Sequence, residues 1–143
     1  TEPFTGIVEE FYEDGQLSQK ANFIDGERDG LFEGFHNNGQ LRFRDNYKYG
    51  ERDGLNEQFF RNSQLKYRGN YKDGKQDGHW ENIYTNAQSE SRGNHIDGEI
   101  DGLWEEYYEN GQLQSRRNYI DGEFDGLWER FYYTGQLKVR GNY

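Results

Sequence analysis

The chain has 143 residues and a formal net charge of −10 at pH 7, and only 31% of it is hydrophobic while 17% is aromatic. This balance excludes a large aliphatic core. It also disfavours nucleic acid and anionic membrane surfaces as partners, because both are bound through an excess of Lys and Arg. No stretch approaches the roughly 18 apolar residues of a membrane-spanning helix, and the lack of cysteine excludes disulfides and thiolate metal sites.

A 24-residue period organises the whole sequence. Six repeats begin with Asp-Gly or its equivalent, and each has Glu at its fifth position, Gln at its twelfth and Asn at its eighteenth. The sixteenth position is always Lys or Arg. The sequence therefore predicts one repeat domain over residues 1–143, with repeats at 5–28, 29–52, 53–76, 77–100, 101–124 and 125–143.

Each repeat contains two turn signals. In chain order, Asn-Gly-like dipeptides occur at 14–15, 38–39, 62–63, 86–87, 110–111 and 134–135, and Asp-Gly-like dipeptides at 25–26, 49–50, 73–74, 97–98 and 121–122. Both kinds predict two-residue type I′ hairpin turns, and the segments between them are aromatic and β-prone. The expected fold is all-β: a single-layer antiparallel meander, or ribbon, of six β-hairpin repeats and about twelve strands, curved or grooved at its glycines, with no helices.

A two-residue loop at 110–111 predicts the strand register. It places Tyr108 opposite Leu113, and the invariant Glu105 opposite Arg116 as a cross-strand ion pair. Strand alternation then separates two faces. The aromatic face, a candidate interaction surface, collects Trp80, Tyr84, Trp104, Tyr108, Leu113, Tyr119, Trp128, Tyr132 and Tyr143. The opposite face, here the ladder face, collects Leu103, Glu105, Tyr107, Arg116 and Asn118.

The pattern GLWEEYYENGQLxxxxNYxDG at 102–122 resembles the bacterial variant of the MORN (membrane occupation and recognition nexus) repeat. The resemblance covers essentially the whole chain, and repeat 77–100 is the most degenerate. It implies a β-hairpin ribbon that acts as a scaffold or interaction module. Many bacterial members are labelled antitoxins or exported repeat proteins, and some MORN proteins are linked to phosphoinositide lipids. The acidic balance here argues against the lipid role, and the resemblance supplies no catalytic residue.

The acidic and histidine residues do not form a catalytic or metal-binding pattern. The fifth-position Glu recurs six times opposite a base, which indicates a structural ladder. Residues 97–102 imitate the first half of a calcium loop, but the twelfth residue is Tyr108 where a bidentate Glu is needed, and turn chemistry explains each Asp and Gly. His36, His79 and His95 replace packing residues at different repeat positions. We therefore predict no enzyme activity, cofactor or metal, and the pattern argues against calcium.

The favoured function is a structural protein that assembles with itself. Residues 1–4 fill the last four positions of a repeat and Tyr143 fills the nineteenth, so a second copy placed after the chain resumes the repeat with one residue missing. The first and last strands, at 7–12 and 136–143, keep ordinary repeat sequence, which favours head-to-tail strand pairing. The predicted register between hairpins places Lys138 opposite Glu9. The candidate edge residues are Ile7, Glu9, Phe11, Lys138 and Arg140.

Two alternative functions stay open. The aromatic face would bind another protein, in an antitoxin-like or scaffold role, or it would stack on a glycan. Packing of this face against neighbouring segments or another subunit is the interpretation without a ligand. Since the chain begins at Thr1 without a signal-peptide pattern, we expect any leader to have been removed. A secreted or cell-surface location is expected, with the cytoplasm as the alternative.

Overall fold

The computed structural model describes residues 1–143 and contains fourteen β-strands and no helix. It divides into two compact parts, the N-terminal half Thr1–Lys75 and the C-terminal half Gln76–Tyr143. The strands are β1 Gly6–Phe11, β2 Leu17–Ile24, β3 Glu27–Phe35, β4 Leu41–Lys48, β5 Glu51–Arg52, β6 Gly54–Phe59, β7 Leu65–Lys72, β8 Lys75–Gln76, β9 Gly78–Ile83, β10 Ser89–Ile96, β11 Glu99–Tyr107, β12 Leu113–Ile120, β13 Glu123–Phe131 and β14 Leu137–Asn142.

Each half is an antiparallel meander in which consecutive strands pair. The N-terminal half has the order β1-β2-β3-β4-β6-β7, with β5 also paired to β4. The C-terminal half has the order β9-β10-β11-β12-β13-β14. The short strands β5 and β8 are the first residues of strands that run unbroken in the other repeats, which is why fourteen strands are found where about twelve are predicted. The predicted all-β, single-layer meander is confirmed.

The Asp-Gly-like turns are two-residue turns of the predicted kind. Asp121 and Gly122 have φ angles of 48° and 79°, so both central residues are left-handed, as type I′ requires. Tyr49 adopts the same conformation with φ 50°. Each such turn also bonds to the preceding repeat: Gly122 N donates to Ile100 O at 3.0 Å. Successive turns are therefore tied together along one end of the hairpins.

The Asn-Gly-like turns differ from the prediction. Tyr108 N donates to Gln112 O and Gly111 N donates to Tyr108 O, which closes a three-residue loop instead of a two-residue one. Only Gly111 has a positive φ. The cause is Asn110, whose Oδ1 accepts a hydrogen bond from Gln112 N at 3.0 Å and so favours an Asx turn with a left-handed glycine after it.

A β-bulge next to this loop restores the register. Tyr107 faces Leu113 and Glu106 faces Ser115, so the strand β12 carries one extra residue between them. Beyond the bulge, Glu105 faces Arg116, as predicted. The prediction that Leu113 faces Tyr108 is wrong, because the longer loop moves Leu113 opposite Tyr107 and therefore onto the ladder face.

A second bulge separates successive hairpins. Tyr119 faces Phe124, but two residues earlier Arg117 faces Trp128, so residues 125–127 lie opposite a single residue. The bulge contains Gly126, whose φ is 72°. The predicted register between hairpins, which pairs the fourteenth position with the next fifth position, is wrong because this bulge shifts it by two residues. The fifth-position Glu faces the sixteenth-position base instead.

The sheet has very little interior. The only buried hydrophobic residues are Ala21 and Trp80, and no large side chain is fully enclosed. Five polar or charged side chains are buried: Asp45, Asn56, His95, Ser115 and Glu129. Cross-strand side-chain contacts and backbone hydrogen bonds therefore stabilise the fold more than a core does. The chain contains no helix of the length and hydropathy needed to cross a membrane.

Candidate functional site

The ladder face carries an alternating row of acids and bases across neighbouring strands. Arg116, for example, faces Glu105 on one side and Glu129 on the other. The row in the N-terminal half is Glu9, Lys20, Glu33, Arg44, Glu57 and Arg68. In the C-terminal half it is Glu81, Arg92, Glu105, Arg116, Glu129 and Arg140. The fifth-position carboxylates thus lie opposite cross-strand bases, as the predicted ladder requires.

Glu105 shows how tightly this row is held. Arg92 Nε donates to Glu105 Oε2 at 2.9 Å, and the Tyr107 hydroxyl donates to the same oxygen at 2.8 Å. Burial alone would raise the pKa of Glu105, but these hydrogen bonds and Arg92 outweigh it, so its pKa is lowered. Burial and the bond to Glu105 raise the pKa of Tyr107 to about 12. Neither group is suited to proton transfer near neutral pH.

The aromatic face of the C-terminal half is partly packed against itself. His95 is buried between two indoles, with ring centroids 5.9 Å from Trp80 and 5.7 Å from Trp104, both edge-on. Trp104 lies over Gly93 and Trp128 lies over Gly141, so closely that a Cβ at either glycine would collide with the ring. Two of the predicted interaction residues, Trp80 and Trp104, therefore serve packing within the chain.

The eighth-position residues tie one repeat to the next. The Tyr84 hydroxyl donates to Tyr107 O at 2.9 Å, and the Tyr108 hydroxyl donates to Phe131 O at 3.0 Å. Similar contacts come from Tyr12 and His36 in the N-terminal half. Sequence reasoning missed this role, although the recurrence of a ring with a polar tip at one position was its signal. Tyr132 has no such partner and is 49% exposed.

An exposed aromatic cluster lies at the end of the C-terminal half. Phe124 stacks on Tyr143 with centroids 5.3 Å apart and planes at 14°, and it also contacts Tyr119 at 5.0 Å. Trp128 lies 6.4 Å from Tyr143. Of the predicted interaction residues, the structure thus brings Tyr119, Trp128 and Tyr143 together. The central ring, Phe124, was not predicted, because the twenty-fourth position is Arg, Gln or Ile in the four preceding repeats and is therefore not a regular aromatic position.

The N-terminal half has a buried polar cluster in the corresponding layer. Asp45 and Asn56 are 4% and 2% exposed, and the Asn56 amide donates to the Asp45 carboxylate. Arg52 Nη2 donates to the other Asp45 oxygen at 3.3 Å. Burial raises the pKa of Asp45, and the nearby Arg52 offsets only part of this rise. The sequence did not predict this cluster, because Asp45 and Asn56 depart from the repeat pattern at positions that are brought together only by the pairing of β4 with its neighbouring strands.

The structure does not bring together the histidines or the calcium-like carboxylates as a metal site. No group of three or more His, Asp or Glu side chains is arranged to hold a metal ion. The first-position carboxylates instead cap the type I′ turns: Asp101 Oδ2 accepts from Asp121 N at 3.4 Å and Asp29 Oδ2 from Tyr49 N at 3.3 Å. His36 bonds to the carbonyl of Phe59, and His95 packs between two indoles, as described above.

The candidate edge residues lie on strands that pair on one side only. β1 pairs with β2 and β14 pairs with β13. On β1, Ile7 and Phe11 are 57% and 58% exposed, while Glu9 bonds to Lys20 across 3.6 Å. On β14, Arg140 contacts Glu129 at 3.5 Å yet its side chain stays 63% exposed. Lys138 is the bulge residue of its hairpin, since Arg130 faces Val139 and Phe131 faces Leu137.

A model of the MORN repeat variant family matches residues 4–25, 28–49, 52–73, 100–121 and 124–143. The chain belongs to the MORN repeat variant family. The matches omit most of repeat 77–100, the most degenerate in sequence, yet the structure gives that repeat the same hairpin as the others. Membership in this MORN family identifies a repeat protein, and the resemblance noted from the sequence is confirmed. No curated protein matches the sequence.

Solved structures offer only distant likenesses. A crystal structure of an S. aureus TarM mutant in complex with fondaparinux, alpha-GlcNAc-glycerol and UDP has 9% identity and a TM-score of 0.40, covering 83% of this chain and 21% of that one. TarM itself has 11% identity and a TM-score of 0.39, covering 66% and 19%. A GtfA/B complex bound to UDP and GlcNAc has 13% identity and a TM-score of 0.30, covering 80% and 24%. The chain thus spans about a fifth of these proteins, and likenesses this weak support no functional conclusion.

Proposed function

We propose that this MORN-variant chain is a non-catalytic assembly module, in which β14 of one copy pairs with β1 of the next. The observation that carries the proposal is the ladder itself. Inside each half, an acid on one strand faces a base on the next strand, without interruption. At β1 the row ends in Glu9, and at β14 it ends in Arg140. The two edges therefore end in opposite charges.

The register within the chain predicts the register between copies. Every sixteenth-position base faces the fifth-position acid of the following hairpin, as Arg116 faces Glu129. Applied to two copies, this rule places Arg140 beside Glu9 of the second copy. It replaces the predicted partner Lys138, because the bulge between hairpins shifts the register by two residues. A contact between opposite charges favours pairing of β14 with β1 and opposes pairing of two identical edges, which would bring like charges together.

The remaining side chains of the two edges support the same arrangement. Ile7 and Phe11 on β1, and Leu137 and Val139 on β14, expose apolar surface that strand addition would cover. Tyr132, which lacks the carbonyl partner that Tyr108 has, would gain one from Phe11 of the second copy. Because the two edges differ, the contact is head-to-tail and can repeat.

A charge-swap experiment tests this proposal. Glu9→Lys and Arg140→Glu each place like charges opposite each other and should abolish association, while the double variant should restore it. Light scattering over a dilution series measures the mean mass. Arg42→Glu, on β4 within the N-terminal half, is the matched charge control and should associate like the wild type.

Two outcomes would contradict the proposal. One is a wild-type chain that stays monomeric at every concentration. The other is a double variant that fails to associate while both single variants remain folded by circular dichroism. Either result would favour the alternative, in which the MORN-variant chain binds a different protein through its aromatic face. That alternative is supported by the exposure of Phe124, Tyr132 and Tyr143.

A further inference from the structure

The C-terminal half has two arginines on its aromatic face where other repeats have small, amide or acidic residues. Arg117 holds the seventeenth position, which is otherwise Ala, Asp or Gly, and Arg130 holds the sixth, which is otherwise Glu, Gly, Gln or Asn. Across β12 and β13, Arg117 faces Trp128 and Ser115 faces Arg130. The two departures from the repeat pattern are therefore neighbours on one face.

These arginines are not neutralised within the chain. Neither forms an ion pair, in contrast to Arg116 and Arg140 on the ladder face. Arg117 instead places its guanidinium carbon 5.6 Å from the ring centroid of Phe124. The one acid that lines the same depression, Glu106, accepts a hydrogen bond from the Ser115 hydroxyl at 2.5 Å. In a chain of net charge −10, this is a local reversal of charge that attracts an anionic group.

Two adjoining depressions share Arg117 and Arg130. One, of about 250 Å³, is mainly polar and is also lined by Lys138. The other, of about 310 Å³, is lined by the rings of Phe124, Trp128 and Tyr143. A ligand carboxylate that binds the two guanidinium groups would place a neighbouring aromatic group of the same ligand over the second depression, where it can make edge-on or stacked contacts with the rings.

We propose that this aromatic–arginine site, Arg117 and Arg130 with Phe124, Trp128 and Tyr143, binds a peptide segment in which an acidic side chain lies next to an aromatic one. The net charge of −10 repels polymers that carry a high density of negative charge. A peptide with one carboxylate is repelled little and still pairs with the arginines. The site uses side chains on a face and not the backbone of an edge, so it does not depend on the assembly proposed above.

Capped tetrapeptides test the chemistry directly. All three tryptophans of the chain lie in the C-terminal half, so their indole N–H signals in NMR spectra report on this region. Titration with capped Gly-Glu-Phe-Gly should move the Trp128 signal most. Capped Gly-Gln-Phe-Gly and Gly-Glu-Ala-Gly should bind roughly tenfold more weakly, the loss typical of one charge-assisted bond or one ring contact.

Variants built from the repeat's own alternatives test the site. Arg117→Gly and Arg130→Gln introduce residues that other repeats carry at those positions, and each should weaken Gly-Glu-Phe-Gly binding roughly tenfold. Arg42→Gln removes one positive charge in the N-terminal half and should bind like the wild type. Repeating the titration in the Arg140→Glu background separates this result from edge pairing.

Three results would overturn the inference. They are a Trp128 signal that does not move, equal binding of the Gln-Phe and Glu-Phe peptides, and unchanged affinity in Arg117→Gly. Tighter binding of a four-residue run of glutamates than of Gly-Glu-Phe-Gly would equally reject the site, since it would show general attraction of anions without a role for the rings.

Discussion

Corresponding positions of the aromatic face are filled in different ways in the two halves of the molecule. In the C-terminal half, large rings at the fourth position lie over glycines at the seventeenth, as Trp128 lies over Gly141. In the N-terminal half, the repeat 53–76 instead has Asn56 at its fourth position, and Asn56 bonds to Asp45 at the seventeenth position of the preceding repeat. One solution buries apolar surface and the other satisfies a buried carboxylate. The repeat therefore specifies a space to be filled between neighbouring strands, and either apolar or polar side chains can fill it.

The largest effect should come from the ring-over-glycine solution. Trp104→Ala removes an indole that covers Gly93 and contacts His95, and should lower the free energy of unfolding by about 3–5 kcal/mol. Urea denaturation measures this change. Leu103→Ala, at a 48% exposed neighbour on the same strand, should cost far less. Equal losses in the two variants would mean that the aromatic face is not packed.

Removing the charge of the buried Asp45 should stabilise the protein, whereas removing the Trp104 ring should destabilise it. Burial raises the pKa of Asp45, so the folded state disfavours the charged carboxylate. The contribution of Asp45 to the stability of the fold is therefore greatest below pH 3.8 and is lost as the pH rises through the folded pKa. Asp45→Asn keeps the hydrogen-bonding shape without the charge and should raise the melting temperature at neutral pH. Asp53→Asn, at a turn of the same half, is the control. A lower melting temperature for Asp45→Asn would mean that the ion pair with Arg52 outweighs burial.

The indole pair should also make the C-terminal half sensitive to acid. Burial lowers the pKa of His95, so the unfolded state binds a proton more readily, and stability falls as the pH drops below 6.5. His95→Tyr restores the residue found at this position in four other repeats and should flatten this dependence. Thermal unfolding followed by tryptophan fluorescence measures this dependence between about pH 5 and pH 8, the range over which histidine titrates. An unchanged pH profile would exclude His95 as the cause.

The smallest effect concerns the contacts between repeats. Tyr108→Phe removes the hydroxyl that donates to Phe131 O and should cost about 1 kcal/mol. Tyr132→Phe makes the same chemical change where no carbonyl is within reach in the chain, and should cost almost nothing. Equal effects would show that the eighth-position hydroxyl is not a structural contact.

Much of this architecture could be predicted from the period alone. The pairing of Glu105 with Arg116 and the separation into two faces follow from strand alternation once the turns are placed. The loop at 110–111 was predicted too short, because the Asn110 side chain selects a three-residue loop that the dipeptide alone does not reveal. Gln114 then absorbs the extra residue in a bulge, which is why the register survived while Leu113 changed face.

The candidate sites were less accessible to sequence reasoning. The aromatic residues were recognisable, but whether each ring packs inward or stays exposed depends on its neighbours on the adjacent strands. Trp80 is buried and Tyr143 is 70% exposed, although both belong to the predicted interaction face. Arg117 and Arg130 gain meaning only when β12 and β13 are paired. The polar pair Asp45 and Asn56 likewise appears as two unrelated departures until the strands meet.

The contacts between hairpins have a consequence for how such a chain changes length. Where the eighth residue is Tyr, neighbouring hairpins within a half are joined at both ends, by its hydroxyl at one end and by the turn glycine amide at the other, as in Tyr108 to Phe131 and Gly122 to Ile100. Both joints span a nearly constant number of residues. Duplication or loss of a whole repeat would leave every joint matched, whereas loss of half a repeat would break both. The length of such a protein can therefore change only in steps of one whole repeat without loss of these contacts.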